Sequence, residues 1–353
     1  MIERKVLNEL LETAVYAPSG DNSQPWSFEV KNDTLYIFSL ADKDNPKFNF
    51  RGRGTLIAHG ALIENILIYA PTLGLKPVVE LFPQIQEPNC TAKISFEQIQ
   101  PWENLLGKFI KERCTNRKKY SSELLTQTSK QDIIRSAAEV GLGRVELVEE
   151  ENQKKLLGQA VSINEVVMLE DKELHDLFFG DVRWTKEEEN KFKTGLYLKT
   201  MELEKPKEIA FRILKSWKNA KFLTKFGLAK FIAKENSKIY SSGGALGVII
   251  IPNEDKAFLS AGKVMQRIWL KATSYGLSLQ PITGIIYLAQ RVNANEAQGF
   301  SETHISQIKK AYSEICSVFP VQNNEVMAML FRMGKSAPAS SHSSKLIPKI
   351  KYF

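Results

Sequence analysis

Two segments of this chain line up at an offset of 202 residues, and a duplication of that size limits the kind of core the chain can build. Ala58-His59-Gly60 runs on through Ile66, Ala70, Gly74 and Leu75; Ser260-Ala261-Gly262 runs on through Ile268, Ala272, Gly276 and Leu277. In each copy a glycine is expected to open a helix with apolar residues at helical spacing, and a Gly-Leu pair closes it. The closing glycine suits a left-handed cap. A strand-like run follows each helix, Lys76 to Phe82 and Ser278 to Ile282. Such helix-to-strand punctuation also arises by chance. Taken as a duplication, it means two copies of one unit stacked on each other, and 353 residues suffice for one large core or two domains.

A hydrophobic content of 43% and a charged content of 25% are ordinary for a soluble globular chain. No run approaches the roughly 18 apolar residues of a membrane span, and the start, Met1-Ile2-Glu3-Arg4-Lys5, lacks an apolar signal region, so export is not expected. Cys90, Cys114 and Cys316 are too scattered for a disulfide framework or a thiolate metal site, and His59, His175, His304 and His342 show no ligand spacing. A cytoplasmic, metal-free setting is the expectation. The net charge of +8 is local, since Lys205 to Lys238 holds ten Lys or Arg against Glu208 and Glu235. Phe211, Trp217, Phe222, Phe226 and Phe231 alternate with those lysines at a helical period broken near Gly227. The segment can be the wet face of packed helices, a lid that attracts anions or, least favoured, a contact with anionic lipid. Nucleic acid is not expected, because no known module is present and the apolar neighbours of the lysines should be buried. Upstream, Phe178, Phe179, Arg183, Trp184, Phe192 and Tyr197 either fill a core or wall a pocket.

The helical pattern Val6, Leu7, Leu10, Leu11, Ala14, Val15 leads into Ala17-Pro18-Ser19-Gly20-Asp21-Asn22-Ser23-Gln24-Pro25-Trp26 and then a strand-like run, Ser27 to Val30. The turn chemistry of these residues would by itself explain a loop. The string Ala-Pro-Ser-x-x-Asn-x-Gln-Pro-Trp also resembles the signature loop of the nitroreductase superfamily of FMN-dependent oxidoreductases. Arg113-Cys114-Thr115-Asn116-Arg117 resembles the family's Arg-x-Ser-x-Arg start, with Thr in place of Ser. The resemblance implies a homodimer with FMN between subunits, one supplying the basic start and the other the loop. Here the loop and the basic start each occur once, in different copies. That pattern resembles the fused, two-repeat branch: an α+β nitroreductase-like fold duplicated as an intramolecular pseudo-dimer. Mixed or antiparallel sheets, long central helices and a helical lid are then expected. Residues 1–103 would form repeat 1 and 104–353 repeat 2, with the lid inserted at about 170–238. One flavin site at most survives, and a monomer becomes feasible.

The FMN phosphate needs cationic donors, and the arginine fork binds its oxygens in pairs. If 113–117 is extended, Arg113, Thr115 and Arg117 share a face; a solvated basic linker is the other reading. The resemblance gives Pro18 the task of stiffening the loop and lets Ser19 and Asn22 donate to ribityl or phosphate, while Gln24 and Trp26 tie the loop to the core. Gln280, Pro281, Thr283 and Gly284 fall where the family sets backbone against flavin N5, although a simple bend is equally possible. Val326 to Phe331 reads as a buried strand ending at Arg332, and Lys345 stands where the family commonly has Arg. Lysine attracts phosphate as a point charge without a fork. The implied function is reduction of nitroaromatics, quinones or similar small electron-poor acceptors by NAD(P)H, with no side chain as nucleophile and the hydride carried by the flavin. The alternative is a catalytically impaired, flavin-sequestering or stress-related binding protein whose lid blocks the site.

Overall fold

The computed structural model describes residues 2–84 and 86–353; the side chain of Ala41 falls outside that description. The first part runs α1 (Arg4–Ala14), β1 (Trp26–Lys31), β2 (Thr34–Ser39), α2 (Arg53–Tyr69), β3 (Leu75–Leu81) and β4 (Cys90–Gln98). After α3 (Gln127–Ala138) and β5 (Arg144–Val148) come α4 (Glu151–Val161), α5 (Ile163–Glu170) and α6 (Lys172–Asp181). Short β6 (Val182–Arg183), α7 (Lys186–Phe192), short β7 (Leu196–Tyr197), α8 (Lys205–Leu214), α9 (Trp217–Thr224) and α10 (Leu228–Tyr240) follow. The chain ends with β8 (Ala245–Pro252), α11 (Asp255–Ser274), β9 (Ser278–Ile282), α12 (Gly284–Asn293), α13 (Glu302–Val318), β10 (Glu325–Gly334) and β11 (Ile350–Tyr352). The fold is α+β. One large sheet has the order β11-β1-β2-β4-β3 and the other β5-β8-β10-β9, both antiparallel except that β11 lies parallel to β1, and short β6 and β7 pair in parallel. Through β11 the end of the chain completes the sheet that its beginning started. The two halves of the sequence therefore interlock.

Helices α2 and α11 cross at the centre of the molecule. Nearly every side chain of α2 is buried, as a helix apolar all round must be. The helical stretch Phe50–Leu73 holds an 18-residue span of mean hydropathy 1.4, 72% of it buried, so its apolar surface is used up in the core.

Gly60 and Gly262 do not open these helices but lie inside them. A Cβ on Gly60 would sit 1.9 Å from the Leu259 carbonyl oxygen, and one on Gly262 would sit 1.9 Å from the Ile57 carbonyl oxygen. Ile57 and Leu259 are related by the same 202-residue offset, so equivalent positions meet at the crossing. The glycines are needed because backbone touches backbone there, a constraint that period and punctuation do not reveal. Beside the crossing, Gln266 Nε2 donates to Asn65 Oδ1 at 2.7 Å, and Arg267 Nε donates to the buried Glu64 carboxylate at 2.6 Å. The closing glycines, Gly74 and Gly276, do take the left-handed conformation, at φ +73° and +67°.

Residues from α5 to α10 form a helical layer with a core of its own, built on Val166, Leu169, Phe179, Trp184, Leu214 and Ala229. Phe178, Phe179, Trp184 and Phe211 pack ring against ring, with centroids 5.0–6.2 Å apart. These aromatics fill a core. Arg183 and Phe192, by contrast, line a cavity.

Candidate functional site

The loop after α1 is held by its own side chains and by distant backbone. Ser19 Oγ accepts from the Gln24 N–H at 3.0 Å. Asp21, Asn22 and Gln24 take positive φ of 45°, 56° and 52°, a conformation that Asp and Asn tolerate better than most residues. Gln24 reaches it at a cost, offset by bonds to both neighbouring segments: its Nε2 donates to Lys193 O at 2.7 Å and its Oε1 accepts from Leu346 N–H at 2.9 Å. Underneath, the Pro25 carbonyl meets His59 Nε2 at 2.8 Å and Trp26 packs edge-on against that ring. His59 is fully buried, which pushes its pKa down to about 4.

Facing this loop, Asn116 N–H donates to Leu279 O and Thr115 bridges to Leu279 in parallel, so the 113–117 segment runs along β9. One cavity of about 100 Å³ lies between the two segments. Pro18, Ser19, Asp21 and Asn22 line one side, Arg113, Cys114, Thr115 and Arg117 the other, and Lys345 joins them from the C-terminal tail. Seven of the sequence-selected residues (Pro18, Ser19, Asn22, Arg113, Thr115, Arg117 and Lys345) thus meet at one place.

Three buried or half-buried cations line the cavity, beside the exposed Lys111. Arg113 is buried; its Nη2 donates to Tyr16 O at 2.7 Å, its guanidinium stacks 4.3 Å over Trp269, and its Nε has no partner. Arg117 and Lys345 are half-buried. Arg117 Nη1 donates to Thr200 O at 2.9 Å, and Lys345 Nζ donates to Ala17 O and Asn22 Oδ1, each at 2.9 Å. Among the described residues, none of the three forms an ion pair within 4.0 Å. Burial pushes Arg113 down to about 10, and burial together with the Arg113 charge pushes Lys345 down to about 7, against a smaller opposing pull from Glu189. Asp21 is pushed up to about 6 by burial and by Asp181, with Arg117 pulling the other way. A buried cation without an anion beside it is costly to the fold.

The sign for Lys345 follows from linkage. Its folded pKa lies below the ordinary 10.5, so the unfolded chain binds more protons between about 7 and 10.5, and this residue makes stability rise with pH across that window. We expect the melting temperature of the wild type relative to Lys345→Gln to climb from pH 7 to 10. A difference that stays flat would remove the buried-cation reading of Lys345.

The remaining selected residues are elsewhere. Arg332 is fully buried and spent: Nε donates to Gln280 Oε1 at 2.8 Å, Nη1 to Ser242 Oγ at 2.8 Å and Nη2 to Lys118 O at 2.7 Å, with the plane 3.8 Å over Tyr120. Gln280 and Arg332 are cross-strand partners in β9 and β10. Neither they nor Pro281, Thr283 and Gly284 line the cavity. A Cβ at Gly284 would fall 2.3 Å from Asn164 Oδ1, so a larger residue there would push that side chain aside. Conversely, Asp21, Cys114, Thr200 and Ser341 to Ser343 line the cavity without having been selected. Thr200 and the 341–343 stretch come from the helical layer and the tail, whose return to the loop has no local signal.

A second cavity of about 480 Å³ adjoins the first at Asp21, walled by Trp26, Phe28, Leu40, Phe192 and Leu346 with Asp181 and Arg183 at its edge. Ligand pockets for drug-sized molecules run about 300–1,000 Å³. The first cavity is thus of phosphate-group size and the second of whole-ligand size. The layer and the tail close over the loop: Asn22 Nδ2 donates to Lys193 O at 3.1 Å and to Ser344 O at 2.9 Å.

No family model matches the chain. It is 21% identical over 339 residues to an uncharacterized protein of Mycobacterium tuberculosis, a match covering 95% of this chain and 46% of that protein. It is 29% identical over 96 residues to acg of the same organism, named provisionally as an NAD(P)H nitroreductase, covering 27% of this chain and 29% of that one. The chain therefore spans about half or less of the curated relatives it matches. Among solved structures, one from Anabaena variabilis named provisionally as a nitroreductase aligns with a TM-score of 0.47 at 11% identity, over 94% of this chain and 88% of that one. The FMN-dependent nitroreductase NfnB of Mycobacterium smegmatis, in complex with NADPH, aligns with a TM-score of 0.37 at 13% identity, over 69% of this chain and 92% of that one. The chain is thus similar, over part of its length, to mycobacterial proteins named provisionally as nitroreductases, and it sets the loop at 17–26 beside the basic segment at 113–117.

Proposed function

We propose that the chain binds FMN with its phosphate between Arg113, Arg117 and Lys345 and acts as an NAD(P)H-dependent oxidoreductase on small electron-poor acceptors such as nitroaromatics or quinones. The observation that carries this reading is the set of three buried or half-buried cations that, among the described residues, form no ion pair around a phosphate-sized cavity. Arg113 and Arg117 can each offer two donors to one phosphate, Thr115 can add a hydroxyl, and Lys345 supplies charge. Bound flavin would supply the hydride chemistry. The protein's part is to fix the phosphate, exclude water with the helical layer and hold positive charge near the bound anion. The interlocked sheets and the symmetric α2–α11 crossing support the reading of one chain as a pseudo-dimer of 1–103 and 104–353, with one site.

The second reading, a flavin-sequestering or impaired protein, is favoured by one feature. Asn22 and Gln24, on the loop expected to face the ligand, are already bonded to Lys193 O and Ser344 O. Access then depends on the layer and tail lifting away. Anaerobic addition of NADPH to the FMN-loaded chain separates the two: bleaching of the visible flavin absorbance supports the enzyme, and bound flavin that stays oxidised overturns it.

Gln24→Ala should loosen that closure, since it removes two hydrogen bonds worth about 1 kcal/mol each. We expect tryptic cleavage between Lys186 and Lys199 and the rate of FMN association each to rise about tenfold or more. Unchanged cleavage and association would mean that Gln24 does not tie the layer down.

A further inference from the structure

The outer face of α8 to α10 carries a combination that a packed, solvated helix does not need. All ten basic side chains from Lys205 to Lys238 are exposed, and no acid occurs from Ile209 to Lys234. Among the described residues only Lys207, Arg212 and Lys238 of the ten form ion pairs, each with a nearby glutamate. The apolar neighbours, expected from the sequence to be buried, are in part uncovered: Ile209 is 62% exposed, Phe222 60%, Phe226 76% and Phe231 61%. The layer's core is already closed by Leu214, Ala220, Ala229 and Ala233, which leaves these side chains over. The Phe222 and Phe226 rings pack edge to face at 5.2 Å, an apolar patch with lysines around it.

Lysines alone would suit water, and phenylalanines alone a protein partner. Uncovered aromatics among unpaired lysines match a surface that is anionic outside and apolar just beneath. We propose that this face docks on an anionic lipid bilayer. Phe222, Phe226 and Phe231 enter the boundary between headgroups and acyl chains, and the lysines meet the lipid phosphates. The proposal is independent of flavin binding, because none of these residues lines either cavity.

Co-sedimentation of the full chain with phosphatidylglycerol–phosphatidylcholine vesicles tests it. The chain should pellet with these vesicles, less so as salt rises, and stay in solution with phosphatidylcholine alone. F222S/F226S/F231S should weaken partition about a hundredfold, and K218Q/K221Q/K225Q by about fivefold per lysine. Melting temperatures of both variants check the fold, and either variant alone carries the test. A chain that stays in the supernatant with anionic vesicles, or a phenylalanine variant that pellets like the wild type, would overturn the proposal.

Discussion

Arg117→Met is expected to raise the melting temperature of the ligand-free chain and to remove its affinity for FMN in the same step. Arg117 gives one hydrogen bond, to Thr200 O, and has no ion-pair partner among the described residues. Burial alone makes its charge costly, as its lowered pKa reflects, with Asp21 only partly offsetting it. Replacing such a cation by an apolar side chain of similar length should stabilise the empty fold by about 1–2 kcal/mol. The same change takes a charged donor from the phosphate, a loss of roughly 2–5 kcal/mol when the other partner stays buried. FMN affinity should then fall about a hundredfold or more, and the extra stability that saturating FMN lends the wild type, about 2.7 kcal/mol at 100 times Kd, should vanish. Calorimetric melts with and without FMN measure both. A lower melting temperature with FMN stabilisation intact would show that Arg117 belongs to the scaffold. Arg113→Ala is the poorer test of the trade-off, because Arg113 also stacks on Trp269 and bonds Tyr16 O.

Gly60→Ala and Gly262→Ala should each cost about 3 kcal/mol or more, among the largest effects available from adding a single methyl group. Each Cβ would meet a carbonyl oxygen at 1.9 Å, and carbonyls inside a helix cannot turn aside. The two helices would have to separate, loosening the contact that holds the two sheets in one molecule. Because equivalent residues meet, the two substitutions should cost nearly the same and should not add, since either one alone forces the separation. Thermal unfolding of both single variants and the double variant checks this. A pair of near-silent alanines would mean that the helices do not cross at these positions.

Local signals carried far in this chain. The bounds of β9 follow from the short strand-like run after a Gly-Leu pair, and the helical caps at Gly74 and Gly276 follow from those pairs. The loop at 17–26 and the basic stretch at 113–117 could be paired through the resemblance, and the structure brings them together across 91 residues between Asn22 and Arg113. What stayed hidden depends on register and long-range return. Arg332 lies inside the buried strand β10, and nothing beside it in the sequence says that Gln280, Ser242 and the Lys118 carbonyl will use up its donors. The glycines of the crossing looked like helix openers because a close approach between two helices leaves no mark on either helix's own period. Closure of the loop by Lys193 and Ser344 joins residues more than 170 positions apart. Asp21, an unspecified position in the signature, takes its raised pKa from burial under that closure.

Titration calorimetry of the purified chain with FMN and, separately, with riboflavin tests the central claim most directly, because the two ligands differ only in the phosphate. A single equivalent of FMN should bind per chain, and riboflavin should bind at least about a hundredfold more weakly. Equal affinity for the two, two equivalents of FMN, or no FMN binding at all would contradict a lone phosphate-holding site at Arg113, Arg117 and Lys345.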